Sequence, residues 1–291
     1  MKVIDFTKMV ASGNDFVVID SSHQFRRRRT SLRLAPVTSH QSLAKKACHR
    51  KFGIGADGLL VLEKSRVADI KMRIFNPDGS EAQMCGNGAR CVALFKSQVT
   101  SHPSTSLRAG RSQVKIETRA GIIFSEVKGE KVKIKLTDPK NIKLNIPVKV
   151  NNRTIRVNFI NTGVPHTVVF VAGLKEIDVF NLGRRIRYHQ RFKPAGANVN
   201  FIEILNNNSL KIRTYERGVE DETLACGTGS VASAIIAAGA LGHRGTGAQN
   251  INIHTKSGEI LKVYFNSNHN SISDVWLEGK AKIVYKGEIY V

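Results

Sequence analysis

"QMCGNGARCVALF" at residues 83–95 and "LACGTGSVASAII" at 224–236 write Cys-Gly-x-Gly twice, each time ahead of an apolar run. Cysteine is scarce, with four in 291 residues, and two of them sit in this repeated frame. Further pairs lie around the echo. "SGNDFVVID" (12–20) faces "TGVPHTVVF" (162–170), and "GADGLLVLE" (55–63) faces "GANVNFIEI" (196–204). "KMRIFNPDGSEAQMCGNG" (71–88) faces "KIRTYERGVEDETLACGTG" (211–229). Gly55 precedes Cys85 by 30 residues, and Gly196 precedes Cys226 by the same 30. Glu81 and Glu222 each stand four residues before a cysteine. Three blocks in one order with a shared spacing make the chain two copies of one domain.

Period then assigns the elements. "FVVID", "LLVLE", "HTVVFV", "VNFIEI", "KIRTY", "INIHT" and "KVYF" are short, rich in β-branched and aromatic residues, and bounded by turn formers, which predicts strands. After each Cys-Gly-x-Gly, "ARCVALFK" and "SVASAIIAAGAL" predict helices. The second is apolar nearly all round, the mark of a buried helix. The expected fold class is α/β (α+β), each copy a set of strands wrapped on a central helix with its cysteine at the helix N-terminus.

Composition narrows the setting. Hydrophobic content of 41% and charged content of 23% are ordinary for a globular protein. No apolar run reaches the roughly 18 residues of a membrane span, and "MKVIDFTKMV" does not read as a signal peptide. Four cysteines are no disulfide framework, which points to the cytoplasm. The net charge of +22 invites a nucleic-acid reading. Its distribution argues otherwise. Residues 21–56 carry nine bases and no acid (Arg26 to Arg29, Arg33, Lys45, Lys46, Arg50, Lys51), and residues 94–116 carry four more (Lys96, Arg108, Arg111, Lys115). Both segments read as basic insertions near 23–45 and 98–113, outside the common core and without the interleaved aromatics that stack bases. "GIGADG" (53–58) fits G-x-G-x-x-G, but a strand-like run follows it where a dinucleotide site needs a helix. No cysteine pair has zinc spacing, so neither metal nor cofactor is expected.

A cysteine at a helix N-terminus sits among backbone N–H groups without internal partners, at the positive end of the dipole. That end holds a carboxylate and favours thiolate over thiol. Gly86, Gly88, Gly227 and Gly229 would let backbone approach a ligand without a Cβ in the way. Two such sites in mirrored domains suggest a carbon acid gripped between them. One thiolate would take a proton from one face while the opposite thiol gives one to the other, inverting that carbon. Cys48 and Cys91 read instead as small buried hydrophobes.

On "FNPDGSEAQMCGNGARC" and "YERGVEDETLACGTGS", with "SGNDF" and "GANVNF" in support, the chain resembles the cofactor-independent diaminopimelate epimerases, over most of its length outside the basic segments. The resemblance implies epimerisation of LL-2,6-diaminopimelate to the meso form, in lysine and peptidoglycan biosynthesis, by a cytoplasmic homodimer. It implies two pseudo-symmetric domains, each a mixed, strongly curved sheet around a central helix. The first would be 1–137 plus 280–291, with "AKIVYKGEIYV" returning to it, and the second 138–279. It makes Cys85 and Cys226 the acid–base pair. Asn14, Asn76, Asn198, Glu216 and Arg217 match substrate-binding positions, and Gly86, Asn87, Gly227 and Thr228 match the carboxylate cradle. His166 and Glu216 match polar positions near the reacting centre. The chain departs from the pattern at Gly58, where the family often has Gln, and at Val164, where it has Asn. The alternatives are a proline or hydroxyproline racemase, and a basic nucleic-acid-binding protein on an inactive epimerase scaffold. Glu216-Arg217, suited to a second charged amino-acid end, favours diaminopimelate.

Overall fold

The computed structural model describes residues 3–22, 39–100, 112–241, 247–268 and 271–290. Arg26 to Arg29, Arg33, Arg108 and Arg111 fall outside them. The chain forms two compact units, Met1–Ile134 with Lys280–Val291, and Lys135–Gly279.

The first unit runs β1 (Val3–Ala11), β2 (Asn14–Asp20), α1 (His40–Cys48), β3 (Gly58–Glu63), β4 (Ile70–Phe75), β5 (Glu81–Ala82), α2 (Gly86–Thr100), β6 (Ser112–Thr118), β7 (Gly121–Lys128) and β8 (Lys131–Lys135). The second runs β9 (Lys140–Val150), β10 (Arg153–Asn161), β11 (Pro165–Phe170), α3 (Val179–Arg187), β12 (Asn198–Asn206), β13 (Ser209–Glu216), β14 (Asp221–Thr223), α4 (Gly227–Ala240), β15 (Gly247–His254), β16 (Ile260–Asn268) and β17 (Ser271–Lys280). The last strand, β18 (Lys282–Tyr290), lies antiparallel to β1.

Each predicted strand and both predicted helices are present. Their sequences show why: β16, ILKVYFNSN, buries Leu261, Val263, Phe265 and Ser267 in strict alternation, one face in and one out. The two units repeat one another pair by pair. β2 runs parallel to β3 and β4 to β6, as β11 does to β12 and β13 to β15. The central helix α2 packs on β1, β2, β4, β6, β7 and β18, and α4 packs on β10, β11, β12, β13, β15 and β16. Gly229 to Ala238 are all buried, which is why α4 tolerates so little polarity.

Two features escape the sequence patterns. Helices α1 and α3 form a second layer, closing a core of Leu43, Ala44 and Ala47 against Val17 and Leu59 in one unit, and of Val179 and Ile186 against Val199 and Phe201 in the other. Residues 40–45, read above as part of a basic insertion, therefore belong to a helix that both units share. α3 hides because Gly183 interrupts it. A Cβ there would lie 2.5 Å from Cβ of Tyr215, so only glycine lets the helix sit this close to β13. The second feature is register. Phe16 pairs with Gly58 and His166 with Asn198, while Leu59 pairs with Phe75 and Val199 with Tyr215. Gly58 is thus the counterpart of Asn198, one residue from the match that the shared spacing suggests. Phe75 pairs with Glu81 but Tyr215 with Glu222, so the turn before β14 holds one residue more and restores the count.

Candidate active site

Each cysteine occupies the N-cap of the helix at the centre of its unit. Its carbonyl accepts the first helical bond, from Ala89 N to Cys85 at 2.9 Å and from Ser230 N to Cys226 at 2.9 Å. The amides of Gly86, Asn87 and Gly88, and of Gly227, Thr228 and Gly229, are then first-turn donors with no helical acceptor. This leaves each thiol beside a set of N–H groups suited to an anion.

In the first unit Asn87 and Asn14 meet directly, Asn87 Nδ2 donating to Asn14 Oδ1 at 2.6 Å. Asn14 Nδ2 donates to Asp57 at 3.1 Å. Asn76 is exposed in the β4–β5 turn, where its amide donates to Ser80 Oγ at 2.9 Å. Gly58 starts β3 and brings no side chain. Asp15, behind this cluster, pairs with Lys8 at 2.8 Å and Arg50 at 3.0 Å. Burial acts to raise its carboxyl, but those two cations outweigh it and hold the group at about 2.

In the second unit the thiol of Cys226 lies 3.6 Å from Thr228 Oγ1, and Thr162 Oγ1 donates to the Thr228 carbonyl at 3.2 Å. Asn198 Oδ1 accepts from the Arg217 backbone at 2.7 Å, and its amide donates to the Pro165 carbonyl at 3.3 Å. Burial pushes the Glu216 carboxyl above its ordinary value. Glu216 and Arg217 form no ion pair with each other; the Arg217 guanidinium donates to the Ala195 carbonyl at 3.3 Å. His166 is fully buried. Asn200, which the motifs do not single out, holds it: Asn200 Nδ2 faces His166 Nδ1 at 3.1 Å and donates to the Thr167 carbonyl at 2.9 Å, while its oxygen accepts from Thr214 at 3.0 Å. The carbonyl can only accept, so Asn200 Nδ2 is the donor toward His166 Nδ1 as well. The imidazole proton is then on Nε2, a buried donor with no hydrogen-bond partner. Two asparagines at alternate positions in "NVN" of an otherwise apolar strand are the signal that could have marked Asn200.

Burial, with the Arg217 charge adding to it, lowers the His166 pKa to about 3. The unfolded ring takes a proton near pH 6.5 while the folded ring refuses one until about 3, so stability falls as pH drops through that window. The slope is at most about 1.4 kcal/mol per pH unit for one group. Thermal midpoints measured from pH 7 to pH 4 should decline, and less steeply for His166→Asn. Equal slopes would remove the assignment.

Glu81 and Glu222 have one structural task in common. Arg73 grips Glu81 through Nε and Nη2 at 2.8 and 2.9 Å, and Arg213 grips Glu222 in the same two-pronged way at 2.7 and 2.9 Å. Arg119 adds a contact to Glu81 at 3.5 Å and Lys256 one to Glu222 at 2.9 Å. These pairs pin the short strands β5 and β14, from which the chain runs straight to each cysteine. Glu222→Gln breaks a two-pronged, largely buried pair and is expected to cost about 1–3 kcal/mol, read as a lower thermal midpoint. A midpoint unchanged within a degree would contradict it.

The other two cysteines are core residues. Burial raises the Cys48 thiol to about 11 and pushes that of Cys91 higher still, so neither ionises near neutrality. Among the described residues no group of three or more His, Cys, Asp and Glu side chains could hold a metal ion, and no helix is long and apolar enough to cross a membrane.

Comparisons with known proteins agree on a lineage. A diaminopimelate epimerase from Methanocella arvoryzae is 41% identical, covering 100% of this chain and 98% of that protein. One from Aquifex aeolicus is 38% identical, covering 98% of each. Solved structures share the fold at low identity. A phenazine biosynthesis protein of the PhzF family from Bacillus anthracis superposes with a TM-score of 0.70 at 18% identity over 100% of both chains. A probable proline racemase from Agrobacterium radiobacter follows at 0.67 and 15%, covering 99% of this chain and 93% of that one. The racemase likeness is one of fold alone and does not favour that activity. The profile described as diaminopimelate epimerase matches residues 6–142 and 158–284, taking in both cysteine half-sites, and this chain belongs to the diaminopimelate epimerase family.

Proposed function

We propose that the chain epimerises LL-2,6-diaminopimelate to the meso isomer by passing a proton through one α-carbon between Cys85 and Cys226. The observation that carries this is a single device built twice: a cysteine capping a buried helix, with first-turn amides beside it, in each of two duplicated units. In the forward step the α C–H bond breaks as an S–H bond forms on one thiolate. The other thiol gives its proton to the opposite face of the same carbon and is left as thiolate. The pair ends with roles exchanged, and no redox partner, metal or cofactor enters the balance.

Charge develops on the substrate carboxylate as the C–H bond breaks. The amides of Gly86 and Asn87, and of Gly227 and Thr228, stabilise it without reorganising, because helix geometry already aims them. Asn14, Asn76, Asn198, Glu216 and Arg217 bind the amino-acid groups; the raised carboxyl of Glu216 and the unpartnered Nε2–H of His166 suit the neighbourhood of the reacting centre. With Gly58 and Val164, two amide contacts are absent, and remaining donors carry that load. The working form is a cytoplasmic homodimer, as the family resemblance implies. Sedimentation equilibrium giving the mass of one chain would remove the dimer.

Proton NMR of the reduced protein with LL-diaminopimelate in D2O tests the reaction. The expected result is deuterium at the α position with growth of the meso isomer. A folded protein that exchanges no deuterium would rule out this substrate.

A further inference from the structure

Arg90 is fully buried in α2, five residues from Cys85, and belongs to none of the groups assigned above. Its Nη2 donates to Asn87 Oδ1 and, at 2.7 Å, to Ser12 Oγ. From there the bonds continue in one direction: Asn87 Nδ2 to Asn14 Oδ1 at 2.6 Å, then Asn14 Nδ2 to Asp57 Oδ2 at 3.1 Å. Asp57 pairs in turn with Arg50 at 2.6 Å.

The ends of this relay fix its direction. A guanidinium can only donate and a carboxylate can only accept. Turning both amides over would set an NH2 against Arg90 and an oxygen against Asp57, two repulsive contacts, the first of them buried. So both asparagines hold their oxygens toward Arg90 and their nitrogens toward Asp57. Each nitrogen carries two protons and the relay uses one. One N–H of Asn14 and one of Asn87 remain, both donors.

The second unit shows that these residues go together. By strand register and helix alignment Asp57, Asn14, Asn87 and Arg90 correspond to Ala197, Val164, Thr228 and Val231. Each of these four is replaced there, while Ser12 keeps a hydroxyl counterpart in Thr162, and Val231 is a plain core residue.

We infer that Arg90 is a positioning residue: it orients Asn87 and Asn14 so that the half-site around Cys85 offers only N–H donors to a substrate carboxylate. This rests on the epimerase reading above. Asp57, at the far end, completes the polarity.

Three variants of the full chain test it: Arg90→Met, Arg90→Lys and Asp57→Asn. Steady-state kinetics with LL-diaminopimelate are combined with 15N spectra of the side-chain amides of Asn14 and Asn87. Arg90→Met should raise KM about tenfold, the loss of one hydrogen bond to a charged acceptor, with kcat changed far less. Arg90→Lys should restore part of that. Asp57 is partly exposed, so Asp57→Asn should fold even where Arg90→Met does not. It should raise KM several-fold and shift the amide resonances of Asn87 as well as those of its neighbour Asn14. Unchanged KM in folded Arg90→Met would make Arg90 a packing residue only. An Asn87 resonance indifferent to Asp57→Asn would overturn the relay. If wild type turns over no diaminopimelate, the substrate reading fails, and the resonance shifts alone still decide whether the relay exists.

Discussion

Cys85→Ala and Cys226→Ala should each lower kcat/KM for epimerisation by about 10²- to 10⁴-fold, the usual worth of a positioned acid or base. Neither change should unfold the protein. The bond that starts each helix goes to the cysteine carbonyl, which alanine keeps, and not to the thiol. The double variant should be little worse than either single one, because each turnover needs one base and one acid together and losing either breaks the cycle. Meso isomer followed by NMR, with thermal midpoints alongside, measures all three. A single variant retaining a tenth of wild-type rate would sink the two-thiol scheme.

Gly229→Ala should have the next largest effect, and for a reason other than ligand access. A Cβ at 229 would lie 2.3 Å from Asn200 Oδ1 and 3.2 Å from Cys226 Sγ. Asn200 cannot step aside cheaply, since Thr214, the Thr167 carbonyl and His166 all bond to it. Alanine favours a helix over glycine by about 1 kcal/mol. Overpacking costs about 1–3 kcal/mol and should outweigh that. Displacing the thiol and His166 together should reduce kcat by about 10²-fold. The duplicate position offers a control. At Gly88 the nearest atom to an added Cβ is Leu60 Cδ2 at 3.1 Å, the tip of a flexible side chain. Gly88→Ala should therefore cost much less of both. Equal losses at the two sites would return the explanation to backbone approach by a ligand, as the motif alone suggests.

Much of the candidate site could be read from local pattern. The cysteines announce themselves because Cys-Gly-x-Gly recurs ahead of two apolar runs, and the strands because β-branched residues alternate. Glu81 and Glu222 were visible only as acids four residues before a cysteine, a place where a helix dipole would favour them. Their hold on Arg73 and Arg213 depends on a hairpin register that residue types do not specify. The same register makes Gly58 the counterpart of Asn198, although equal spacing matches it with Val199.

The sequence by itself determined the duplication, the two helix-capping thiols, the strands around them and the family. Those features repeat at intervals of two to four residues or recur as whole blocks, so they survive without any fold in view. Only the tertiary structure decided the α1 and α3 layer, the Asn200–His166 pairing and the run from Arg90 to Asp57. Parallel strands such as β2 and β3 require a crossover, and that requirement is invisible until the pairing is known. The relay joins Ser12, Asn14, Asp57, Asn87 and Arg90 across as many as 78 residues of chain. Each is an ordinary polar residue in its own neighbourhood, and only a donor-only guanidinium at one end and an acceptor-only carboxylate at the other make their bonds directional.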